Sequence, residues 1–505
     1  MSGPPAGVAE SHTATIFLAG DRAYKLKKPV SLGFLDFTTV AARAEACRRE
    51  TELNRRFSPD VYLGVAEVRN PDGQVCDHLV VMRRMPSARR LSAMVTAGGP
   101  VTGPVRQVAR ILAAQHAGSA RQPEIDAEGS RDALRGRWRD SFAQVRELGG
   151  GLSGWPELGE AEDRVDRFLA GRQPVFERRV ADGRIVDGHG DLLADDIFAL
   201  DDGPRILDCL EFDDRLRWLD GLDDAAFLAM DLERLGATGL AQQFLRWYAE
   251  FAADPAPSAL SHHYVAYRSF VRAKVADIRA RQGAAPMAAQ ARQLAQLALR
   301  HLRAGAVALV LVGGLPGTGK SALSAELADT LGMVVLSSDR IRKELAGLPP
   351  EEHFPTAYGT GLYTEAWTTR TYDEMLSRAA RLLAEGESVI LDASWTSAPW
   401  RARARSAAAA GCADLVQLCC SAPEDVVRQR LRSRTAGLSD ADEIIAARIA
   451  AGHPAWPEAM VVDTSRGDIT GSPDQPGEAT RRAMSLIRPH GSEHVWPARP
   501  YLLPD

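Results

Sequence analysis

Much that would class this 505-residue chain at once is missing from it. No apolar run approaches the ~18–20 residues needed to cross a bilayer, so no membrane-spanning helix is expected. Met1 to His12 has no apolar core of an export signal, which makes the cytoplasm the expected location. Only six cysteines occur (Cys47, Cys76, Cys209, Cys412, Cys419, Cys420), and none forms a C-x-x-C pair. They read as reduced packing residues, with Cys419-Cys420 as a buried strand end. A large charge excess is also absent. A net charge of −5 gives no bulk reason to expect nucleic acid or an anionic membrane as partner. What remains is an ordinary globular composition, 45% hydrophobic and 25% charged. At this length two or three domains are expected, since single cores seldom grow past ~250–300 residues.

The most informative run present is Gly314-Leu315-Pro316-Gly317-Thr318-Gly319-Lys320-Ser321, which meets G-x-x-x-x-G-K-[ST] at every fixed position. Its flanks agree. Ala306 to Val312 reads as a strand buried on both faces. Ala322 to Leu331 reads as a helix with Leu323, Leu327 and Leu331 on one side, closed by Gly332. Strand, glycine-rich turn and helix N-terminus make an anion cradle, with backbone N–H groups facing a polyphosphate. The pattern assigns Lys320 to the β and γ phosphates and Ser321 to Mg²⁺, so ATP and Mg²⁺ are the expected cofactors.

Four further apolar runs follow: Met333 to Leu336, Val389 to Leu391, Leu415 to Cys420 and Ala459 to Val462. Helical patterns separate them, as in repeated βαβ units with a parallel sheet. Ligands bind beyond the carboxyl ends of such strands, where Asp339, Asp392 and Asp463 fall. Asp392 has the position of a second Mg²⁺ carboxylate, or of a cap for the next turn. Asp339 suits an acceptor-orienting carboxylate, and equally the cap of a helix starting near Arg340. Between Glu424 and Arg434 lie Arg428, Arg430, Arg432 and Arg434. They read either as a solvated helix face or as a lid in which Arg430 or Arg434 neutralises charge on a transferring phosphoryl group.

From about Ala306 to Ser465 this module resembles the small P-loop kinases, the group holding gluconate, shikimate and nucleoside-type kinases and zeta-toxin-like proteins. The resemblance rests on Gly314 to Ser321, Ser338-Asp339-Arg340, Leu391-Asp392-Ala393-Ser394 and the arginine segment. It implies a doubly wound, five-stranded parallel sheet, a bound nucleoside triphosphate and phosphoryl transfer to a small acceptor. It places the acceptor pocket near Glu351 to Trp367, where His353, Tyr358, Tyr363 and Trp367 read equally well as packing residues. Beyond Arg466 the chain is rich in Pro, Gly and charge, and reads as a tail with a short helix over Ala479 to Ile487.

Upstream, short alternating runs (Thr13 to Leu18, Ala23 to Leu26, Val61 to Val68, His78 to Met82) surround a helical Val40 to Phe57, and a mostly helical region follows from Arg131 to about Arg303. A sheet with one helix, then a helical lobe, is a two-lobed α+β outline. The segment His189-Gly190-Asp191-Leu192-Leu193-Ala194-Asp195-Asp196, followed by Ile206-Leu207-Asp208, resembles the aminoglycoside-phosphotransferase-like kinases, whose loop reads H-G-D-x-H-x-x-N. That resemblance implies that Asp191 is the base, Asp208 and Asp196 hold metal, Lys25 binds phosphate and Glu50 pairs with Lys25. Lys27 shares the face of Lys25. Two positions depart from the pattern: Leu193 replaces the second histidine and Asp196 the asparagine. The module is therefore read either as an active kinase or as a degenerate one that binds a ligand or regulates its neighbour.

The whole chain resembles bacterial two-domain proteins that fuse these two modules, with bounds expected at 1–304, 305–465 and a tail at 466–505. The implied activity is an ATP- and Mg²⁺-dependent phosphotransferase acting on a small-molecule hydroxyl, the alternative being a nucleotide-dependent regulatory or ligand-sensing protein. The acceptor and the oligomeric state are left open.

Overall fold

The computed structural model describes residues 6–10, 13–31, 36–349, 361–432, 456–465 and 476–488. Contacts divide the chain into two compact units. The first is Met1–Trp155, Phe176–Ala256 and Tyr264–Ala298; the second is Pro156–Val175, Pro257–His263 and Leu299–Asp505. These bounds differ from a single cut before Gly305, because packing rather than chain order groups the segments. Among the described residues no helix is long and apolar enough to cross a membrane.

The first unit begins with a five-stranded antiparallel sheet in the order β1-β2-β3-β5-β4. The strands are β1 (Gly7–Glu10), β2 (Ala14–Ala19), β3 (Arg22–Lys27), β4 (Tyr62–Arg69) and β5 (Val75–Arg83). Strand β1 has no counterpart in the sequence reading: four residues with mostly exposed side chains leave no hydrophobic signature. The helix Val40–Arg55 is capped by the Thr39 side chain, which accepts from Ala42 N. It supplies Cys47 to a core with Ala23, Val61, Tyr62, Val80 and Met82. Two hairpin-like pairs follow: β6 (Ile185–Asp187) with β9 (Trp218–Asp220), and β7 (Ile197–Leu200) with β8 (Gly203–Ile206). Helices fill the rest, and Gly221–Arg234 is buried along almost its whole length.

The second unit is built on a parallel sheet, order β11-β12-β10-β13-β14, from β10 (Ala308–Gly313), β11 (Val334–Ser337), β12 (Val389–Asp392), β13 (Asp414–Ser421) and β14 (Met460–Asp463). Strand β10 is central and buried at every residue, as expected for a strand covered on both faces. The tail assignment needs one correction. The helix Glu478–Ile487 inserts Ala479, Ala483 and Met484 into the core formed by Val310, Val312, Leu323, Leu327 and Val462. Small alanines make its apolar stripe faint in the sequence, yet they let the helix pack closely.

Candidate active sites

In the second unit, strand register builds the site. Val312 of β10 pairs with Asp392 of β12 and Gly313 pairs with Cys419 of β13, so the loop after β10 emerges between two strand ends. Gly314 has φ +130°, and a Cβ there would lie 2.6 Å from Cys420 O, which explains why only glycine fits. The helix Lys320–Leu331 starts directly after the loop. Leu315, Pro316, Gly317, Thr318 and Gly319 form the turn. Within it Thr318 Oγ1 donates to Leu315 O at 2.8 Å, and Thr464 Oγ1 ties Thr318 O at 2.6 Å.

Ser321 Oγ donates to Asp392 Oδ2 at 2.7 Å, and Asp392 is 6% exposed. Lys320 Nζ donates to Leu315 O at 3.0 Å, folded against the loop. Asp339 lies in the first turn of the helix Ser338–Leu345, two residues past its N-cap Ser337. It is therefore not that helix's cap, and it accepts from Arg342 at 3.0 Å. Asp463 closes its own turn by accepting from Ser465 N at 2.8 Å. Arg430 sits on the helix Glu424–Arg432 and donates to Thr464 O at 2.7 Å, which links it to the residue that ties the loop. Arg434, His353 and Tyr358 lie outside the described residues. Of the other aromatics, Tyr363 lies under the Arg342 guanidinium and Trp367 under that of Arg370. Burial pushes the Cys420 thiol up to about 12, which disfavours its thiolate form.

In the first unit, Lys25 of β3 joins groups far apart in sequence. Its Nζ lies 2.8 Å from Glu50 Oε1 and 2.5 Å from Asp208 Oδ1. Glu50 is fully buried and its second oxygen pairs with Lys27 at 2.7 Å, while Lys27 also pairs with Glu211. Burial alone would lower the Lys25 ammonium, but Asp208, Glu50 and Glu211 hold it well above the ordinary lysine value. Burial would likewise raise Glu50, and Lys25 and Lys27 outweigh it. Asp208 has φ +64°, a strained conformation for a non-glycine residue. Its N–H is fixed by donation to Tyr62 Oη at 3.0 Å, and Lys25 holds its carboxyl below the usual range. Asp196 ends the short turn Ala194–Asp196. Desolvation, then Asp208 and Asp191, raise its carboxyl well above the ordinary value.

The loop carrying Asp191 is held by a residue that the sequence reading passed over. Asp224, fully buried, accepts from His189 N at 2.7 Å and Gly190 N at 2.9 Å, and pairs with His116 Nε2 at 3.0 Å. Gly190 takes φ +88° to make that turn. Arg272 was also missed. Its Nη1 lies 3.1 Å from Asp191 Oδ2, bridging 81 positions of sequence. No motif marks either residue, since each acts through a helix that reads only as packing. The structure thus gathers Lys25, Glu50, Asp208, Asp191 and Asp196 into one unit, and Gly314 to Ser321, Asp392 and Arg430 into the other.

Residues 309–454 match the AAA domain family. The chain is 44% identical over 458 residues to Uncharacterized protein Rv2004c of Mycobacterium tuberculosis, covering 91% of this chain and 92% of that one. The same figures hold for Uncharacterized protein Mb2027c of Mycobacterium bovis. Among solved structures it is similar to the GDP complex of aminoglycoside 2'-phosphotransferase-IIIa (15% identity, 60% of this chain, 93% of that chain, TM-score 0.39). It is also similar to a gluconokinase from Sinorhizobium meliloti (18% identity, 36% of this chain, 91% of that chain, TM-score 0.24). The chain belongs to the family of the mycobacterial Rv2004c and Mb2027c proteins, and the AAA-domain match at residues 309–454 falls on its five-stranded parallel sheet.

Proposed function

We propose that this protein is an ATP- and Mg²⁺-dependent phosphotransferase acting on a hydroxyl of a small molecule, with its main nucleotide site at Gly314 to Ser321. The observation that carries this reading is the 2.7 Å contact between Ser321 Oγ and the buried Asp392 Oδ2, at the mouth of the glycine loop. A hydroxyl and a carboxylate are the hard oxygen donors that Mg²⁺ takes from a protein when phosphates and water complete its shell. When bound, Mg²⁺ would neutralise charge on the β and γ phosphates.

The chain's own residues do the rest under this reading. Lys320 leaves Leu315 O for phosphate oxygens, and the loop N–H groups orient them. Asp339, released from Arg342, takes the proton of the acceptor hydroxyl as the phosphoryl group transfers. Arg430 or Arg434 would neutralise charge on the transferring group. In the first unit Asp191 is the corresponding base, Lys25 the phosphate ligand held by Glu50, and Asp208 with Asp196 the metal carboxylates. A cytoplasmic setting suits ATP use and six free cysteines.

A second reading, a regulatory protein with a degenerate first unit, is favoured by two observations. Arg272 occupies the Asp191 carboxylate, and Asp196 crowds a third carboxyl group beside Asp208 and Asp191, which disfavours its charged form. The deciding experiment measures ADP release with no acceptor and with pools of sugars, aminoglycosides and nucleosides. Stimulation by one pool supports the phosphotransferase. A slow rate indifferent to every pool supports the regulatory protein.

A further inference from the structure

The second unit holds a cationic cavity remote from its glycine loop. The helix Leu158–Gly171 ends at Arg172, a side chain only 1% exposed. Its Nη1 donates to Gly171 O at 2.9 Å and to Gly411 O at 2.6 Å, and its buried Nε has no hydrogen-bond partner. No carboxylate forms an ion pair with it among the described residues. Arginine cannot escape by losing its proton, and a buried charge without a counter-ion costs several kcal/mol.

Arg172 lines a cavity of about 30 Å³ together with Arg164, Arg167, His263 and Asp414. That is room for two or three waters at about 10–15 Å³ each, or for one compact anion if Arg167 shifts. Three arginines and a single carboxylate are among the lining residues. Arg167 pairs with that carboxylate, Asp414, at 2.7 Å, and both side chains are partly exposed. Arg164 is held by Glu160 at 2.7 Å. His263 is stacked on Phe168 with ring centroids 4.3 Å apart, and burial drives it down to about 3, leaving a neutral ring. Gly305, Ala306 and Val307, which lead into β10, and Asp414, the first residue of β13, form the far wall. The cavity is therefore at the amino ends of the strands, about 20 Å along β10 from the nucleotide loop.

We propose that this cavity is a binding site for a compact phosphate-class oxyanion, with Arg172 Nε as the buried donor and Arg167 closing over it. Inorganic phosphate and a small phosphomonoester share the required chemistry. Thermal melts of the full chain with rising inorganic phosphate at constant ionic strength test this. They are run in the Lys320→Ala background, which removes the main competing phosphate ligand. The expected result is a rise of about 2 °C or more by about 20 mM phosphate. That rise should be absent in Arg172→Met, while Arg167→Gln weakens the apparent affinity several-fold. If Arg172→Met does not fold, Arg167→Gln alone carries the test. An equal rise with glycerol 3-phosphate assigns the site to phosphomonoesters, and a rise with phosphate alone assigns it to the free ion. No rise with either, or a wild-type rise in both arginine variants, overturns the proposal.

Discussion

Replacing Lys320 by alanine separates folding from catalysis. In the structure Nζ donates to Leu315 O at 3.0 Å. The same carbonyl accepts from Thr318 Oγ1 at 2.8 Å and from Thr318 N at 3.3 Å, so the substitution leaves no orphaned acceptor. The lost bond is worth about 0.5–1.5 kcal/mol to stability. In a unit of about 200 residues that lowers Tm by only about 1–6 °C. Turnover should respond on another scale. Removing one preorganised group that stabilises developing charge costs about 10²–10³ in kcat, or about 2.7–4 kcal/mol. The assay is the initial rate of ADP release at saturating ATP, paired with a thermal melt of the same preparation. The expected pattern is a near-native melt with at least about a hundredfold slower release. Release within about threefold of wild type would refute the placement of the main nucleotide site at this loop.

Three other outcomes are expected. Glu50→Gln removes the carboxylate shared by Lys25 and Lys27, leaves them only Asp208 and Glu211, and should cost about 1.5–3 kcal/mol in urea unfolding; a loss below about 1 kcal/mol contradicts the bridging role. His263 has a folded pKa near 3, far below its ordinary 6.5, so below pH 6.5 the unfolded chain binds the extra proton. Stability should fall with pH between 6.5 and about 3, by up to about 1.4 kcal/mol per unit more than in His263→Phe; parallel pH profiles of the two proteins would contradict this. Ala483→Asp forces a carboxylate beside the fully buried Ala483 position in the core with Leu327 and Val462, and should destabilise the second unit by more than about 3 kcal/mol. An unchanged melt would restore the reading of that region as a tail.

The degree to which these sites were legible follows from how far apart their residues lie. Gly314 to Ser321 is contiguous, and its chemistry is largely backbone chemistry, so the pattern and its flanking periodicities sufficed. The five strand-forming runs of the second unit were legible for the same reason: a buried parallel strand is a short, continuous apolar run. Lys25, Glu50 and Asp208 could be named only through resemblance to a kinase family. The contacts joining them span 25 and 183 positions, and no local rule connects them. Arg272 and Asp224 escaped because a charged residue on a mostly buried helix has no distinguishing local pattern. The helix Glu478–Ile487 was noticed, but its burial was hidden by small side chains and polar flanks.

By itself the sequence determined a chain of more than one module with a glycine-rich loop between strand and helix, because glycine spacing, strand-end aspartates and apolar period are written in consecutive residues. Only tertiary structure decided which charges meet. It set Ser321 against Asp392, Lys25 between Glu50 and Asp208, and Arg272 on Asp191, and it left the buried Arg172 with no carboxylate ion pair among the described residues. Electrostatic pairing depends on distances of a few ångströms between remote segments, and those distances exist only once strand register and helix packing have been settled.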